Sequence, residues 1–96
     1  MAETVLAMTT LNPDEAEAIE TYVSISSSLL KKAGAKVISQ RETLATLVGE
    51  DVPQYVTLIE YPNRSAIEQV FESEAYNLLK PVRDKAFKQY KVCILS

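Results

Sequence analysis

Tyr76 and Arg83 are the two residues of this chain best suited to binding chemistry. They lie seven positions apart in the segment SEAYNLLKPVRDKAF, so on an ideal helix they project within about 20° of each other. A guanidinium can hold an anionic group and a phenol can donate a hydrogen bond, so we predict that both face a cavity between a helix and a sheet. The alternative, which is the commoner case for a charged residue, is that Arg83 pairs with Glu60 or Glu72 and only fixes the helix.

Tyr22 and Glu60 complete the set of candidate ligand-binding residues. Glu60 interrupts an apolar strand pattern; it could serve as a general base if buried, or as a structural carboxylate if paired with Arg83. Tyr22 shares a helix face with Ser26, where packing is the commoner role of a tyrosine. Cys93 alternates with apolar neighbours and is predicted to be a small buried hydrophobic residue. The pattern assigns no catalytic residue.

The composition excludes several classes of site. The chain has no histidine, which removes the commonest general base and metal ligand, and only two glycines, so it can contain neither a P-loop nor a dinucleotide fingerprint. We therefore expect no cofactor and no metal. The net charge of −3 argues against nucleic acid as a partner. A single cysteine, together with no signal peptide and no long apolar run, predicts a cytoplasmic protein without a membrane segment.

The elements that must position these residues follow the order βαββαβ. Residues 4–11 are predicted to form a strand, residues 13–33 a helix capped by Asn12 and ended by Gly34, and residues 35–50 extended segments that could form one bent strand. QYVTLIEY is the clearest strand, and YKVCILS is the last. Between them lies a second helical region in two pieces: Asn63 or Ser65 can cap the first and Ser73 the next, which Pro81 should kink or restart near Lys80. We expect one ferredoxin-like α+β domain over residues 1–96, with a four-stranded antiparallel sheet.

The strands also predict an assembly, because they are apolar on both faces. Val5 to Met8 and Val92 to Leu95 are continuous apolar runs, and Tyr55, Val56, Leu58 and Ile59 give the third strand the same character. Two helices cover only one face of such a sheet. The other face would expose a large apolar surface, so we expect a homodimer joined through the sheet faces.

On several segments the sequence resembles the dimeric α/β-barrel superfamily and, within it, the domain of unknown function 1330 family. The segments are NPDEAEAIETYV, KKAGAKVIS and VTLIEYPNRSAIEQVFESEAYNLLKPVRDKA, and the matching positions are Tyr22, Gly34, Glu60, Pro62, Phe71, Ser73, Tyr76 and Arg83. Where the family usually has an Arg followed by a pair of glycines, this chain has Gln40, Arg41 and Glu42. Phe71 stands where a larger aromatic such as Trp is frequent in the family, which implies a differently shaped pocket. The resemblance implies a site between sheet and helices.

Two classes of function remain open from the sequence. The first is binding of a small hydrophobic or anionic metabolite between sheet and helices, either by a binding protein or by a cofactor-free enzyme. The second is a non-catalytic dimeric scaffold or ligand-sensing regulatory module. A cavity lined by the candidate residues would favour the first class, and a filled core would favour the second.

Overall fold

The chain forms one antiparallel sheet with three helices packed on one of its faces. A computed structural model describes residues 1–96. The elements are β1 (Glu3–Leu11), α1 (Ala16–Lys32), β2 (Lys36–Glu42), β3 (Tyr55–Tyr61), α2 (Arg64–Phe71), α3 (Glu74–Ala86) and β4 (Phe87–Leu95). The strand order is β2-β3-β1-β4 and every pair is antiparallel. This confirms the predicted ferredoxin-like arrangement, with the second helix divided into α2 and α3.

The strand register assigns each side chain to one of two faces. Val5 lies opposite Ile59 on one side and Ile94 on the other, and Ala7 lies opposite Val92. Because paired residues point to the same side of a sheet and neighbours along a strand alternate, these residues form the helix-covered face. Val5, Ala7 and Ile59 are buried there. We call the opposite side the open face. Its central apolar residues are Leu6, Met8, Val56, Leu58, Cys93 and Leu95.

Helix α1 is shorter than predicted at its start, whereas its predicted end is confirmed. The Asn12 side chain accepts a hydrogen bond from the Asp14 amide at 3.2 Å, and the Glu15 amide donates to the Asn12 carbonyl at 3.0 Å. These bonds close a turn, so the helix begins at Ala16 rather than at residue 13. At the other end the Ala35 amide donates to the Leu30 carbonyl, and Gly34 adopts a φ of +77°. This is a Schellman motif, which requires a glycine or a similarly tolerant residue.

The second helical region divides between α2 and α3, at the predicted Ser73 cap, and the helix does not restart near Lys80 as Pro81 had suggested. Helix α3 continues through Pro81, and Leu79 and Ala86 on either side of it are buried. A proline inside a helix removes one backbone hydrogen bond, and we infer that the packing of these flanking residues outweighs that loss. Ser73 caps α3 as predicted, since its hydroxyl accepts a hydrogen bond from the Tyr76 amide at 3.0 Å.

The segment between β2 and β3 is a loop, which corrects the prediction that the extended region runs to residue 50. Strand β2 ends at Glu42, and the loop is closed where the Thr43 amide donates to the Gln54 carbonyl at 2.8 Å. Gly49 and Asp51 have positive φ angles of 98° and 57°, which a strand does not allow. The loop leaves several large apolar side chains exposed: Leu44, Leu47, Val48 and Val52.

Cys93 lies on the open face, next to Leu6 across the strand pair, and is exposed. The prediction that it is buried was therefore wrong for the single chain. The alternation of β4 explains the error, because Val92 and Ile94 take the helix-covered face and leave Cys93 on the other.

Candidate functional site

Three tyrosines from three different elements meet between the helices and the sheet. Tyr22 comes from α1, Tyr76 from the first turn of α3, and Tyr90 from β4. The Ser73 cap fixes where α3 begins, and with it the direction of Tyr76. The pairing of Tyr90 with Thr9 places it on the same face as the buried residues of β1. We call Tyr22, Tyr76 and Tyr90 the tyrosine cluster.

The hydroxyl groups of the tyrosine cluster form a hydrogen-bonded triangle. The Tyr22 hydroxyl bonds to that of Tyr76 at 2.9 Å and also to that of Tyr90, and the Tyr76 hydroxyl lies 3.4 Å from the Tyr90 hydroxyl. The rings are held by edge contacts: the Tyr22 ring centroid is 5.2 Å from that of Phe87, and the Tyr76 centroid is 5.0 Å from that of Phe71. Such edge-on aromatic packing restricts the rings and so fixes the hydroxyls.

Two members of the tyrosine cluster, Tyr22 and Tyr90, stay protonated under ordinary conditions. Burial is the largest cause that raises the pKa of Tyr22 above its usual 10.0, with its two tyrosine neighbours adding to the effect. Burial also raises the pKa of Tyr90. A phenol that keeps its proton is a hydrogen-bond donor and not a base, so the cluster is suited to binding or stabilising an oxygen atom that carries negative charge.

Arg83 lies above the tyrosine cluster at its solvent side. Its guanidinium carbon is 5.9 Å from the centroid of the Tyr76 ring and 5.4 Å from that of Tyr90, within the range of cation–π contacts. Burial lowers the pKa of Arg83, but the Tyr76 hydroxyl and the Asp84 carboxylate together outweigh this, so its pKa is raised and the group stays charged.

The polar contacts of Arg83 are all long. Its Nη1 atom lies 3.5 Å from the Tyr76 hydroxyl, and its Nε and Nη2 atoms each lie 3.4 Å from Oδ1 of Asp84. Charge-assisted hydrogen bonds in proteins are usually about 2.7–2.9 Å long. Asp84 is a loose partner, since its side chain is 73% exposed against 25% for Arg83. The guanidinium therefore retains capacity for a strong bond to another anion.

An open cleft of about 410 Å³ lies between α3 and β4, beside Arg83. Its lining residues are Phe71, Tyr76, Arg83, Asp84, Phe87, Lys88, Tyr90 and Val92. The lining combines aromatic walls with two cations and one exposed carboxylate. That combination suits a small ligand with a negative group and an apolar or aromatic body.

A smaller space of about 60 Å³ lies between the sheet and the helices. The tyrosine cluster and Tyr61 are among its walls. Tyr61 is completely buried, its hydroxyl has no hydrogen-bond partner, and burial raises its pKa to about 12. Tyr76 and Tyr90 line both this smaller space and the cleft, so the two spaces meet at the cluster.

The structure brings together three of the four predicted ligand-binding residues. Tyr22, Tyr76 and Arg83 are neighbours, as described above. Glu60 does not join them: it pairs with Thr4 and Lys36 in the sheet, lies on the open face and is exposed. The predicted ion pair between Arg83 and Glu60 does not form, because the sheet separates them.

Sequence reasoning missed Tyr90, Phe87 and Lys88 as members of the site. The signal for Tyr90 was available in YKVCILS, where Tyr90, Val92 and Ile94 alternate and must share one face of a strand. Phe87 ends the predicted helical segment SEAYNLLKPVRDKAF, and Lys88 is assigned to no predicted element. The boundary between α3 and β4 has no glycine or proline to mark it.

No group of three or more acidic or cysteine side chains comes close enough to hold a metal ion. None of the helices has the length and apolar run that are needed to cross a membrane.

The sheet, the divided second helix and the cleft between them define a ferredoxin-like α+β protein. Residues 4–96 match the model of the domain of unknown function 1330, DUF1330, and the chain belongs to that family. This confirms the family that the sequence resembles. Among curated proteins, none matches the chain.

Solved structures share the fold over nearly the whole chain. A protein of unknown function from Rhodopseudomonas palustris is 23% identical, with a TM-score of 0.82 over 98% of this chain and 80% of that protein. A protein from Nitrosomonas europaea, provisionally described as an antibiotic biosynthesis monooxygenase, is 13% identical, with a TM-score of 0.65 over 99% and 88% of the two chains. A protein from Bacteroides fragilis described as dimeric and ferredoxin-like is 9% identical, with a TM-score of 0.60 over 99% and 95%.

Proposed function

We propose that this protein binds a small organic anion in the cleft between α3 and β4. The observation that carries the proposal is the state of Arg83: it is partly buried against two tyrosine rings, yet its polar contacts are all 3.4–3.5 Å long. A ligand carboxylate can approach such a guanidinium bidentately and replace the exposed Asp84. Tyr76 then lies beside the bound group as a further donor.

Binding without turnover is the function that these residues support best. Burial raises the pKa of Tyr90, which borders the cleft and therefore keeps its proton. The only carboxylate in the lining is Asp84, which is exposed and contacts Arg83. A reaction that begins with removal of a proton from the ligand would need a base, and the lining offers no well-placed one. Stabilisation of an oxyanion by Arg83 and the tyrosine cluster is the chemistry that remains, and it suits either a sensor or a binding protein.

We further propose that the protein is a homodimer joined through its open face. The centre of that face carries Leu6 between its cross-strand neighbours Leu58 and Cys93, with Met8 opposite Val56 beside them. A face of this kind is stabilised when a second sheet packs on it at about 10 Å. The cleft lies on the helix-covered face and would stay open in such a dimer.

A lone cysteine without a disulfide suits a reducing compartment, so the proposal places the protein in the cytoplasm.

The test of anion binding uses benzoate and its neutral analogue benzamide in calorimetric titrations. We expect benzoate to bind and benzamide to bind at least about tenfold more weakly, because only benzoate carries the charge that Arg83 recognises. Arg83→Lys should keep the fold but weaken benzoate binding by about 1–3 kcal/mol, since a lysine cannot reproduce the bidentate contact. Arg41→Lys, which makes the same change on β2, is the matched control and should leave binding unchanged.

Two results would contradict the proposal. One is equal affinity for benzoate and benzamide. The other is unchanged benzoate binding in Arg83→Lys accompanied by a lower melting temperature, which would make Arg83 a structural residue only.

A further inference from the structure

Another cavity, distinct from the smaller space beside Tyr61, adjoins the cleft along β4. It has a volume of about 490 Å³ and lies between α2 and the end of β4. Its lining residues are Val5, Arg64, Ile67, Glu68, Phe71, Glu72, Val92, Cys93 and Ile94. We call it the α2–β4 groove. Phe71 and Val92 line both this groove and the Arg83 cleft, so the two spaces adjoin at these side chains.

The geometry of β4 gives the combined site a length. Tyr90, Val92 and Ile94 point to the same face of the strand, with Tyr90 in the cleft, Val92 at the junction and Ile94 in the groove. At about 3.3 Å per residue, the distance along the strand from Tyr90 to Ile94 is about 13 Å. An extended chain of roughly ten atoms would span it.

The two ends of this combined site differ in charge. The cleft end carries Arg83 and Lys88 against a single exposed carboxylate, Asp84. At the groove end, the charge of Arg64 is taken up by Glu3 through two contacts of 2.9 and 3.1 Å, while Glu68 and Glu72 remain at the rim. A carboxylate is therefore favoured at the cleft end and repelled at the groove end, whereas the apolar floor of the groove suits a hydrocarbon.

From these observations we infer that the ligand is an amphipathic acid, with its carboxylate at Arg83 and a hydrocarbon tail of about ten atoms in the α2–β4 groove. This inference rests on the proposed function, since it assigns the chemical class of the anion bound at Arg83. It adds the tail and its direction, which the cleft alone does not specify.

The test is a titration series of straight-chain carboxylates from butanoate to decanoate, with decanol and decylamine as uncharged and cationic probes. We expect affinity to rise about two- to fourfold with each added methylene, as apolar surface is buried in the groove. Decanol and decylamine should bind at least about tenfold more weakly than decanoate. A flat series, or decylamine binding as tightly as decanoate, would overturn the inference.

Variants at the two ends separate this inference from the proposed function. Ile94→Glu places a charge in the groove at a side chain that is 41% exposed, and should weaken decanoate binding at least about tenfold while leaving benzoate binding unchanged. Val37→Glu, on the other edge strand and 58% exposed, is the matched control and should bind both probes as the parent does. Ile94→Thr keeps a β-branched side chain and should give a smaller loss.

Arg83→Met should weaken the binding of decanoate and of benzoate to a similar extent. Lys80→Met, on the same helix, should change the binding of neither acid. If Ile94→Glu leaves decanoate binding unchanged while Arg83→Met weakens both acids, the tail does not lie in the groove and only the proposed function survives. If Arg64→Met weakens decanoate binding and Arg83→Met does not, the carboxylate lies at the groove end and the inferred direction of the ligand is wrong. If neither acid depends on Arg83, the proposed function fails as well.

Discussion

The two faces of the sheet are built from the same apolar strands but differ in what lies opposite them. On the helix-covered face, Val5, Ala7 and Ile59 are buried beneath the helices, and the hydroxyls of the tyrosine cluster meet there beside Arg83. On the open face, the centre is apolar and the charged residues, such as the cross-strand neighbours Lys36 and Glu60, are exposed. An apolar strand therefore forms a site only where a second element brings polar groups to it. The open face has no such element, and it is the face through which we propose that the protein dimerises.

The largest expected effect comes from a charge at the centre of the open face. Leu6→Glu should dissociate the proposed dimer, because each subunit would bury an unpaired carboxylate, at a cost of more than about 4 kcal/mol per dimer. Light scattering measures the mass. Cys93 lies opposite Leu6 on the same face, so dissociation of the dimer should also make its labelling by a thiol reagent faster. Val23→Glu, at an exposed position on α1, is the control. A dimer that persists in Leu6→Glu, or a parent protein that is already monomeric at micromolar concentration, would refute assembly through this face.

A smaller effect separates two kinds of buried tyrosine. Tyr22→Phe removes a hydroxyl that bonds to two others and should lower the free energy of unfolding by about 1–2 kcal/mol. Tyr61→Phe removes a buried hydroxyl that has no partner and should be neutral, or stabilise by up to about 1 kcal/mol. Urea denaturation of both variants measures the difference. Equal losses would mean that the hydroxyl triangle does not stabilise the fold.

Alkaline conditions should destabilise the protein through these same residues. Burial raises the pKa of Tyr61 to about 12 and also raises the pKa values of Tyr22 and Tyr90, whereas tyrosines of the unfolded chain ionise near 10. Above pH 10 the unfolded state therefore loses protons that the folded state retains, so stability is complete below that pH and falls as pH rises towards the folded pKa values. Each such tyrosine contributes a slope of up to about 1.4 kcal/mol per pH unit.

Comparison with Tyr22→Phe isolates the share of one tyrosine in this slope. Above pH 10 the free energy of unfolding should fall less steeply with pH in the variant than in the parent. The difference in slope should correspond to close to one proton, about 1.4 kcal/mol per pH unit. Urea denaturation at several pH values measures both slopes. Identical slopes would show that Tyr22 ionises in the folded protein as readily as in the unfolded chain.

The sequence predicted the fold well because its signals were local. Asn63 and Ser73 cap helices, and Gly34 ends one, through bonds to residues only a few positions away. Such contacts can be read from neighbouring letters. Pro81 shows the limit of this reasoning: its local preference was read correctly, but helix α3 runs through it, between the buried residues Leu79 and Ala86.

The site was only partly predictable because its members are far apart in the chain. Tyr76 and Arg83 were found since they share one helix, and the spacing of seven places them together. Tyr90 bonds to Tyr22 across 68 positions, and no pattern within one element indicates that contact. Glu60 was misplaced because one residue of shift along a strand changes the face, and Tyr61 rather than Glu60 lies beneath the helices.

The central claim, that a small acid binds at Arg83 between α3 and β4, is tested most directly by heteronuclear NMR during a benzoate titration. We predict that the Nε–H signal of Arg83 and the backbone amides of α3 and of residues 87–92 shift together with one dissociation constant, while those of β2 and the loop at residues 43–54 do not move. Shifts confined to the open face or to that loop, or an Arg83 signal that stays in place while benzoate binds, would contradict the account.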